Sequence, residues 1–138
     1  MKTGFAGPPG LADIEALARE AYHDIPDMLR SNAADVVIRV EDFPDPETER
    51  EMGLQSPFEL MGLYRGIPFG ERSVSETAED IDLIFLYRRP ILDYWCETGE
   101  DLTILVRHIL IHEIGHHFGF SDEEMERLEK EADRQADS

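Results

Sequence analysis

An eleven-residue stretch, HEIGHHFGFSD, combines three histidines, two glycines and two acidic residues between His112 and Asp122. On an α-helix, His112 and His116 lie about 40° apart around the axis and about 6 Å apart along it, so both imidazoles can bind one cation. Glu113 lies about 100° round from His112, where a carboxylate can hold and deprotonate a water molecule that the cation activates. The spacing predicts a metal site with hydrolytic chemistry. Histidines satisfied within a core helix are the alternative, which fits one histidine well and this array badly.

Two further histidines compete for a place at this site. His117 points about 140° away from His112 on a regular helix, which predicts a packing or surface role. His108 precedes His112 by four residues, but it lies about 12 Å along the axis from His116, so one ion cannot easily join those two. The metal pair is therefore either 108 with 112 or 112 with 116, and only the second has a glutamate directly after its first histidine. His108 is left with a role in the cleft wall behind the ligands or an ordinary structural one.

A zinc site normally takes three protein ligands and keeps a fourth position open for water. A continuous helix would carry Asp122 about 15 Å beyond His112, too far to share an ion. Gly119 can adopt the left-handed conformation and reverse the chain, which would let Asp122 fold back toward the imidazoles. Glu123 and Glu124 remain alternative third ligands.

The remaining sequence predicts one α+β domain over residues 11–138, after a flexible leader at residues 1–10. An amphipathic helix begins at Leu11 and is ended or kinked by Pro26. Acidic or proline-broken stretches, predicted as loops, occupy residues 41–58 and Pro68 to Asp80. Three strands are expected after the first helix, at residues 34–40, Leu60 to Ile67 and Ile81 to Arg88. A long buried helix is expected from Asp101 to Phe118. A charged final helix should follow Ser121, with a capping box formed by Ser121 and Glu124.

Composition restricts the partners. The 138 residues include 13 basic and 31 acidic side chains, a formal charge of -18 that repels nucleic acid and anionic membranes. No uninterrupted apolar run approaches the ~20 residues of a membrane helix. Cys96 is the single cysteine, so an intrachain disulfide cannot form. We expect a cytoplasmic protein, monomeric by default, whose acidity reflects a solvated surface or, alternatively, attraction of basic substrates.

The motif reads HExxHxxGxxD and resembles the zincin metallopeptidases in which aspartate replaces the third histidine of the metzincin pattern. With VVIRVEDFP, LMGLYRGIP, IFLYRRPI and VRHILIHEIGHHFGFSDEEMERLE, the chain resembles the bacterial minimal zincin-like metallopeptidases from Val36 to Glu129. This resemblance implies one Zn²⁺ held by His112, His116 and Asp122. It also implies Glu113 as general base, a small mixed sheet against the active-site helix, and a peptide or protein substrate.

The chain departs from the metzincin pattern beyond the third ligand. Metzincins place a methionine-containing turn well downstream, whereas 16 residues follow Asp122 here and Met125 falls within the final helix. An aspartate ligand also lowers the net charge of the site, so we expect a weak peptidase. The alternative is an inactive metal-binding module that docks a basic protein partner, although the carboxylate of Glu113 argues against a purely structural metal.

Other cleft residues are suggested only by their residue types. The second donor for the oxyanion of peptide hydrolysis is expected among Tyr64, Tyr87, Arg88 and Arg89, each of which has a structural or surface role as its alternative. The strand Ile81 to Arg88 is expected to offer a free edge to an extended peptide. Trp95 and Cys96 are expected in a connection before the long helix, either lining the cleft or packing in the core.

Overall fold

The computed structural model describes residues 7–32, 36–65 and 83–136. Within these residues the chain forms six α-helices, three strands and a short 3-10 turn at Pro57–Glu59. In chain order the elements are α1 Leu11–His23, α2 Asp27–Asn32, β1 Val37–Glu41, α3 Pro46–Met52, β2 Gly62–Arg65, β3 Leu83–Tyr87, α4 Arg88–Thr98, α5 Leu102–His117 and α6 Asp122–Ala136. The predicted connection Pro68 to Asp80 and the outer ends of the three predicted strands lie outside the described residues.

The strands form a mixed sheet in the order β1, β3, β2. β1 runs parallel to β3, with Val37 opposite Leu83, and β2 runs antiparallel to β3, with Gly62 opposite Leu86. The α+β class and the small mixed sheet are therefore confirmed. The predicted free edge on Ile81 to Arg88 is wrong, because β3 is bonded on both sides and its nearly continuous apolar sequence suits a central strand. Among the described strands, the two edges belong to β1 and β2.

The core forms around α5, which packs against α1, β2 and α6. Its apolar residues point in nearly every direction, which is typical of a helix surrounded by other elements. Leu110, Ile111 and Ile114 are completely buried, and each such side chain contributes about 2 kcal/mol by leaving water. The expectation of burial fails at two positions, because Ile104 is 38% exposed and Phe118 is 40% exposed. Both lie near the ends of α5, where fewer neighbouring elements cover the helix.

Two segments predicted as irregular are helical. Within residues 41–58, α3 begins after Asp45, whose Oδ1 accepts a hydrogen bond from the Thr48 amide at 2.7 Å, and Pro46 occupies its first position. That hydrogen bond lowers the pKa of the Asp45 carboxyl. Proline at the first position is compatible with a helix start, so reading the prolines as breakers was wrong. The predicted connection that carries Trp95 and Cys96 likewise belongs to α4.

The N-terminal region follows its prediction in outline. α1 buries Ile14, Leu17, Ala18 and Ala21 and ends before Pro26, after which the chain forms the unpredicted short helix α2. The last residues of the expected leader are fixed, since Pro9 is buried and its carbonyl oxygen accepts a hydrogen bond from Arg88 Nε at 2.6 Å. None of the helices in the described segments is long and apolar enough to cross a membrane.

A buried arginine joins three helices. Arg107, which is 5% exposed, lies on α5; its Nη1 is 2.8 Å from Asp133 Oδ1 on α6, and its Nη2 is 3.7 Å from Asp24 Oδ2 at the end of α1. Its Nε has no hydrogen-bond partner among the described residues. The two carboxylates keep about a third of their surface in water, so they need less compensation than the guanidinium.

We predict that Arg107→Ala lowers the free energy of unfolding by about 3 kcal/mol, because it breaks a buried ion pair and leaves a cavity. Arg107→Met should cost less, since it keeps the packing of the stem. Urea denaturation measures both. The control is Arg19→Ala, which removes an exposed pair with Glu15 and should cost less than about 1 kcal/mol. Equal losses at positions 107 and 19 would contradict the structural role of Arg107.

Candidate metal and catalytic site

The end of α5 is closed by a left-handed turn. Gly119 has a φ of 78°, a conformation that glycine adopts without the Cβ clash of other residues. The Phe120 amide donates to the Gly115 carbonyl at 2.9 Å, and the Gly119 amide donates to the His116 carbonyl at 3.1 Å. These two bonds form a Schellman motif, which satisfies the last carbonyls of the helix and turns the chain back.

A reciprocal cap begins α6 directly after this turn. The Glu124 amide donates to Ser121 Oγ at 3.1 Å, and the Ser121 amide donates to Glu124 Oε1 at 3.1 Å. The predicted capping box is confirmed, and Asp122 is the first residue of α6. The side chain of Glu124 is occupied in the cap, which leaves it poorly placed as an alternative metal ligand, and Glu123 is exposed.

The structure brings His112 and His116 together. Their ring centroids are 4.3 Å apart and the rings are tilted by 58°. Burial lowers the pKa of His112, the neighbouring His116 lowers it further, and Asp122 acts in the opposite direction. His112 therefore favours the neutral state, which is the form of imidazole that binds metals.

Asp122, the third predicted ligand, lies close to this pair but does not complete a three-residue metal site with it in the described structure. Asp122 is within electrostatic reach of His112 and exposed to solvent. Among the described residues, no group of three histidine, cysteine, aspartate or glutamate side chains is arranged around a common point. The donor set of two imidazoles and one carboxylate matches the ligands that zinc binds in proteins. In chemical type the residues therefore fit a single divalent ion.

The side chain of Glu113 extends from α5 toward β2. Its carboxylate accepts a hydrogen bond from the backbone N–H of Tyr64, while burial raises its pKa to about 7. The close approach of β2 depends on Gly62, because a Cβ there would lie 2.8 Å from Ile109 Cγ2 and 3.4 Å from Glu113 Cγ. A carboxylate of raised pKa is thus held next to His112 on α5.

The remaining two histidines have separate roles. His117 stacks on Tyr64, with ring centroids 4.0 Å apart and planes 18° apart, which confirms the predicted packing role. His108 Nε2 lies 3.0 Å from Asp133 Oδ2, and its Nδ1 lies 4.0 Å from Glu129 Oε2. His108 therefore links α5 to α6 while also lining the cleft described next.

An open cleft of about 410 Å³ runs along α5 beside this site. His112, Glu113 and His108 form part of its wall. The lining also includes residues that the sequence did not indicate, from the segment before β2, the start of β2, α4, the turn before α5 and α6, namely Glu59, Met61, Gly62, Tyr94, Glu100 and Glu129. Their spacing carries no chemical signal, because the positions become neighbours only after the helices and sheet pack.

The other suggested cleft residues are distributed through the fold. Arg88 binds Asp42 and Arg89 lies over the Phe43 ring, so both arginines have structural contacts. Tyr87 is buried, and burial raises its pKa to about 12. Tyr64 is the candidate that contacts the site, through Glu113 and His117.

The two α4 residues fit their predictions unequally. Trp95 is partly buried against the core, as expected. Cys96 is exposed, so the expectation that it packs in the core is wrong. Neither residue is part of the described cleft lining, to which α4 contributes the adjacent Tyr94.

The family model for zincin-like metallopeptidases matches residues 33–132 of this sequence, most of its length. The chain belongs to the zincin-like metallopeptidases. This membership confirms the resemblance carried by HExxHxxGxxD and points to a hydrolase acting on peptides. No curated protein matches the chain.

The contact between β2 and α5 in this zincin-like protein gives a stability prediction. Gly62→Ala should lower the free energy of unfolding by about 1–3 kcal/mol, because the new methyl overlaps Ile109 Cγ2. Ile109→Leu removes the branch at Cβ while keeping the side-chain volume, so the double variant should recover part of the loss. Urea unfolding of the four proteins gives the coupling energy. Strictly additive losses would show that the Cβ clash does not cause the effect.

Proposed function

We propose that this protein is a zinc-dependent metallopeptidase that hydrolyses peptide bonds, with Glu113 as general base and His112, His116 and Asp122 as the metal ligands. The observation that carries the proposal is the half-buried Glu113 carboxylate, which lines an open cleft together with His112, whose imidazole is paired with that of His116. A structural metal site has no use for a basic carboxylate at its side, whereas hydrolysis of an amide requires one.

The imidazoles would bind the ion through neutral nitrogens, and Asp122 would contribute a negatively charged oxygen. A zinc ion held there would activate water and polarise the scissile carbonyl, but the aspartate lowers the net charge of the site to about +1 and weakens this effect relative to three histidines. We therefore expect slow turnover. The proposal includes a cytoplasmic location, which fits a chain whose single cysteine cannot form an internal disulfide. It takes the monomeric state by default.

Glu113 moves the proton in this reaction. A carboxylate oxygen accepts a proton from the attacking water as the water oxygen bonds to the scissile carbon. The same oxygen then gives the proton to the amide nitrogen as the C–N bond breaks, so one water is consumed and a carboxyl group and an amine are formed. The hydrogen bond from the Tyr64 amide orients the carboxylate, and partial desolvation makes it a stronger base.

The substrate segment would lie in the cleft between β2 and α6. The apolar part of the cleft lining includes Leu105 and Ile109 of α5 and Met61 before β2. These side chains can pack against the aliphatic parts of a peptide. Glu129 of α6 and His108 of α5 also line this cleft.

The second candidate is a metal-binding module without turnover that docks a basic protein partner. The observations that favour it are the formal charge of -18 and the open arrangement of the three ligands in the described structure. It makes the same prediction for metal binding and the opposite one for hydrolysis.

We predict that His112→Ala, His116→Ala and Asp122→Asn each weaken zinc binding by more than about 100-fold, because each removes a direct ligand rather than an outer contact. Competition with a chromophoric chelator measures the affinity. Glu123→Gln, which changes an adjacent exposed carboxylate, is the matched control and should bind zinc like the parent protein. A loss at position 123 together with none at position 122 would reassign the third ligand.

We also predict that Glu113→Gln binds zinc normally but loses at least about 100-fold of its peptidase rate, because glutamine has the shape of glutamate without its basic oxygen. The assay uses a casein-like protein and a peptide library, with zinc content measured on the same samples. Comparable hydrolysis by both proteins would exclude Glu113 as the base. If both zinc-loaded proteins are inert toward every substrate, the docking module becomes the better description.

A further inference from the structure

Gly115 lies in the last turn of α5, between His112 and His116 in the sequence, and has no room for a side chain. A Cβ at this position would be 2.6 Å from Met125 Sδ and 2.8 Å from Met125 Cγ. Both distances are far inside the usual contact distance of about 3.5–4.0 Å. Met125 itself is 1% exposed. Met125 of α6 therefore packs directly on the backbone of α5, at a residue between the two histidines of the imidazole pair.

Glycine at position 115 lowers the intrinsic stability of the helix. In a helix interior glycine is about 1 kcal/mol less favourable than alanine. Gly115 has an ordinary helical backbone, so its value does not come from an unusual φ. The close contact with Met125 is what the missing side chain permits.

Met125 is tied to the predicted third ligand within the first turn of α6. Its amide donates to the Ser121 carbonyl at 2.9 Å, the first hydrogen bond of that helix. Asp122 precedes Met125 by three residues, so the two side chains share one face of α6. A shift of the Met125 backbone away from α5 would carry Asp122 with it, because both residues belong to the first turn of α6.

A separate set of contacts holds the far end of α6. Asp133 accepts hydrogen bonds from Arg107 Nη1 at 2.8 Å and contacts His108 Nε2 at 3.0 Å. These bonds lie about three turns from Asp122, or about 16 Å along the helix. They keep α6 attached to α5 but cannot by themselves fix the height of its first turn above the imidazoles. The packing of Met125 on Gly115 lies close to that first turn.

We propose that Gly115 and Met125 form a packing seat that sets the position of Asp122 relative to His112 and His116, and so determines the zinc affinity. The inference rests on the proposed ligand set and adds two positioning residues to it. Neither residue carries a donor atom that this site requires. Their contribution is steric, through the distance between α5 and α6.

The primary test is Gly115→Ala. Zinc Kd, measured by chelator competition, should rise by about tenfold or more, equivalent to about 1.4 kcal/mol. The metal-free protein should keep its far-UV circular dichroism, because alanine favours the helix. A loss of zinc affinity without a loss of helix is the result that a purely structural role would not produce. An unchanged Kd would overturn the proposal.

A second-site variant tests whether the overlap is the cause. In Gly115→Ala with Met125→Ala, the atoms that the new methyl would meet are absent, so α6 can return toward α5. Zinc affinity should recover partly relative to Gly115→Ala alone. A double variant that binds zinc more weakly than both single variants would contradict the steric explanation.

A matched pair on α6 decides the question if Gly115→Ala does not fold. Met125→Ala and Leu128→Ala each remove one buried apolar side chain from α6, but only position 125 lies against Gly115. Zinc binding should weaken at position 125 and stay close to the parent value at position 128. Equal weakening would mean that general docking of α6 matters, which overturns the seat.

Asp122→Asn in the same assay distinguishes a failure of the ligand assignment from a failure of the packing seat. If it leaves the affinity unchanged, the ligand assignment fails. If it weakens binding while Gly115→Ala does not, the ligand assignment stands and only the seat fails.

Discussion

The left-handed turn at Gly119 is the constraint on which the rest of the site depends. Its φ of 78° is open to glycine but costs other residues roughly 1–2 kcal/mol. Because the chain reverses there, α6 returns along α5 instead of continuing its axis. A continuous helix would place Asp122 about 15 Å beyond His112. One backbone conformation thus converts a linear motif into two facing helices with histidines on one and carboxylates on the other.

α5 serves the core and the site at the same time. Its burial on several sides supplies stability, and the same burial removes water from Glu113 and raises the pKa of that carboxylate to about 7. The close contact of β2 adds the Tyr64 amide, which lowers the pKa but not enough to cancel burial. Stability and basicity therefore arise from one packing arrangement, and a looser contact would weaken both.

The sequence predicted the features that have local causes. The reversal at Gly119 and the capping box at Ser121 follow from residue types at fixed spacing, and so does the pairing of His112 with His116. The helix α3 was missed although its signals are local, because Pro46 was read as a breaker rather than a first-turn residue. The central position of β3 and the membership of Tyr94 in the cleft could not be predicted, since both depend on how distant elements pack.

The position of Asp122, the proposed third ligand, also depends on how distant elements pack, even though the motif suggested the residue itself. HExxHxxGxxD specifies a turn and a carboxylate, but the turn alone leaves α6 free to tilt about Gly119. Two contacts with different ranges remove that freedom: the bonds of Asp133 at the far end, and the packing of Met125 on Gly115 near the turn. A rigid helix held at two points has a defined first residue. The geometry of the candidate site is therefore a property of the whole α5 and α6 pair, which no short motif contains.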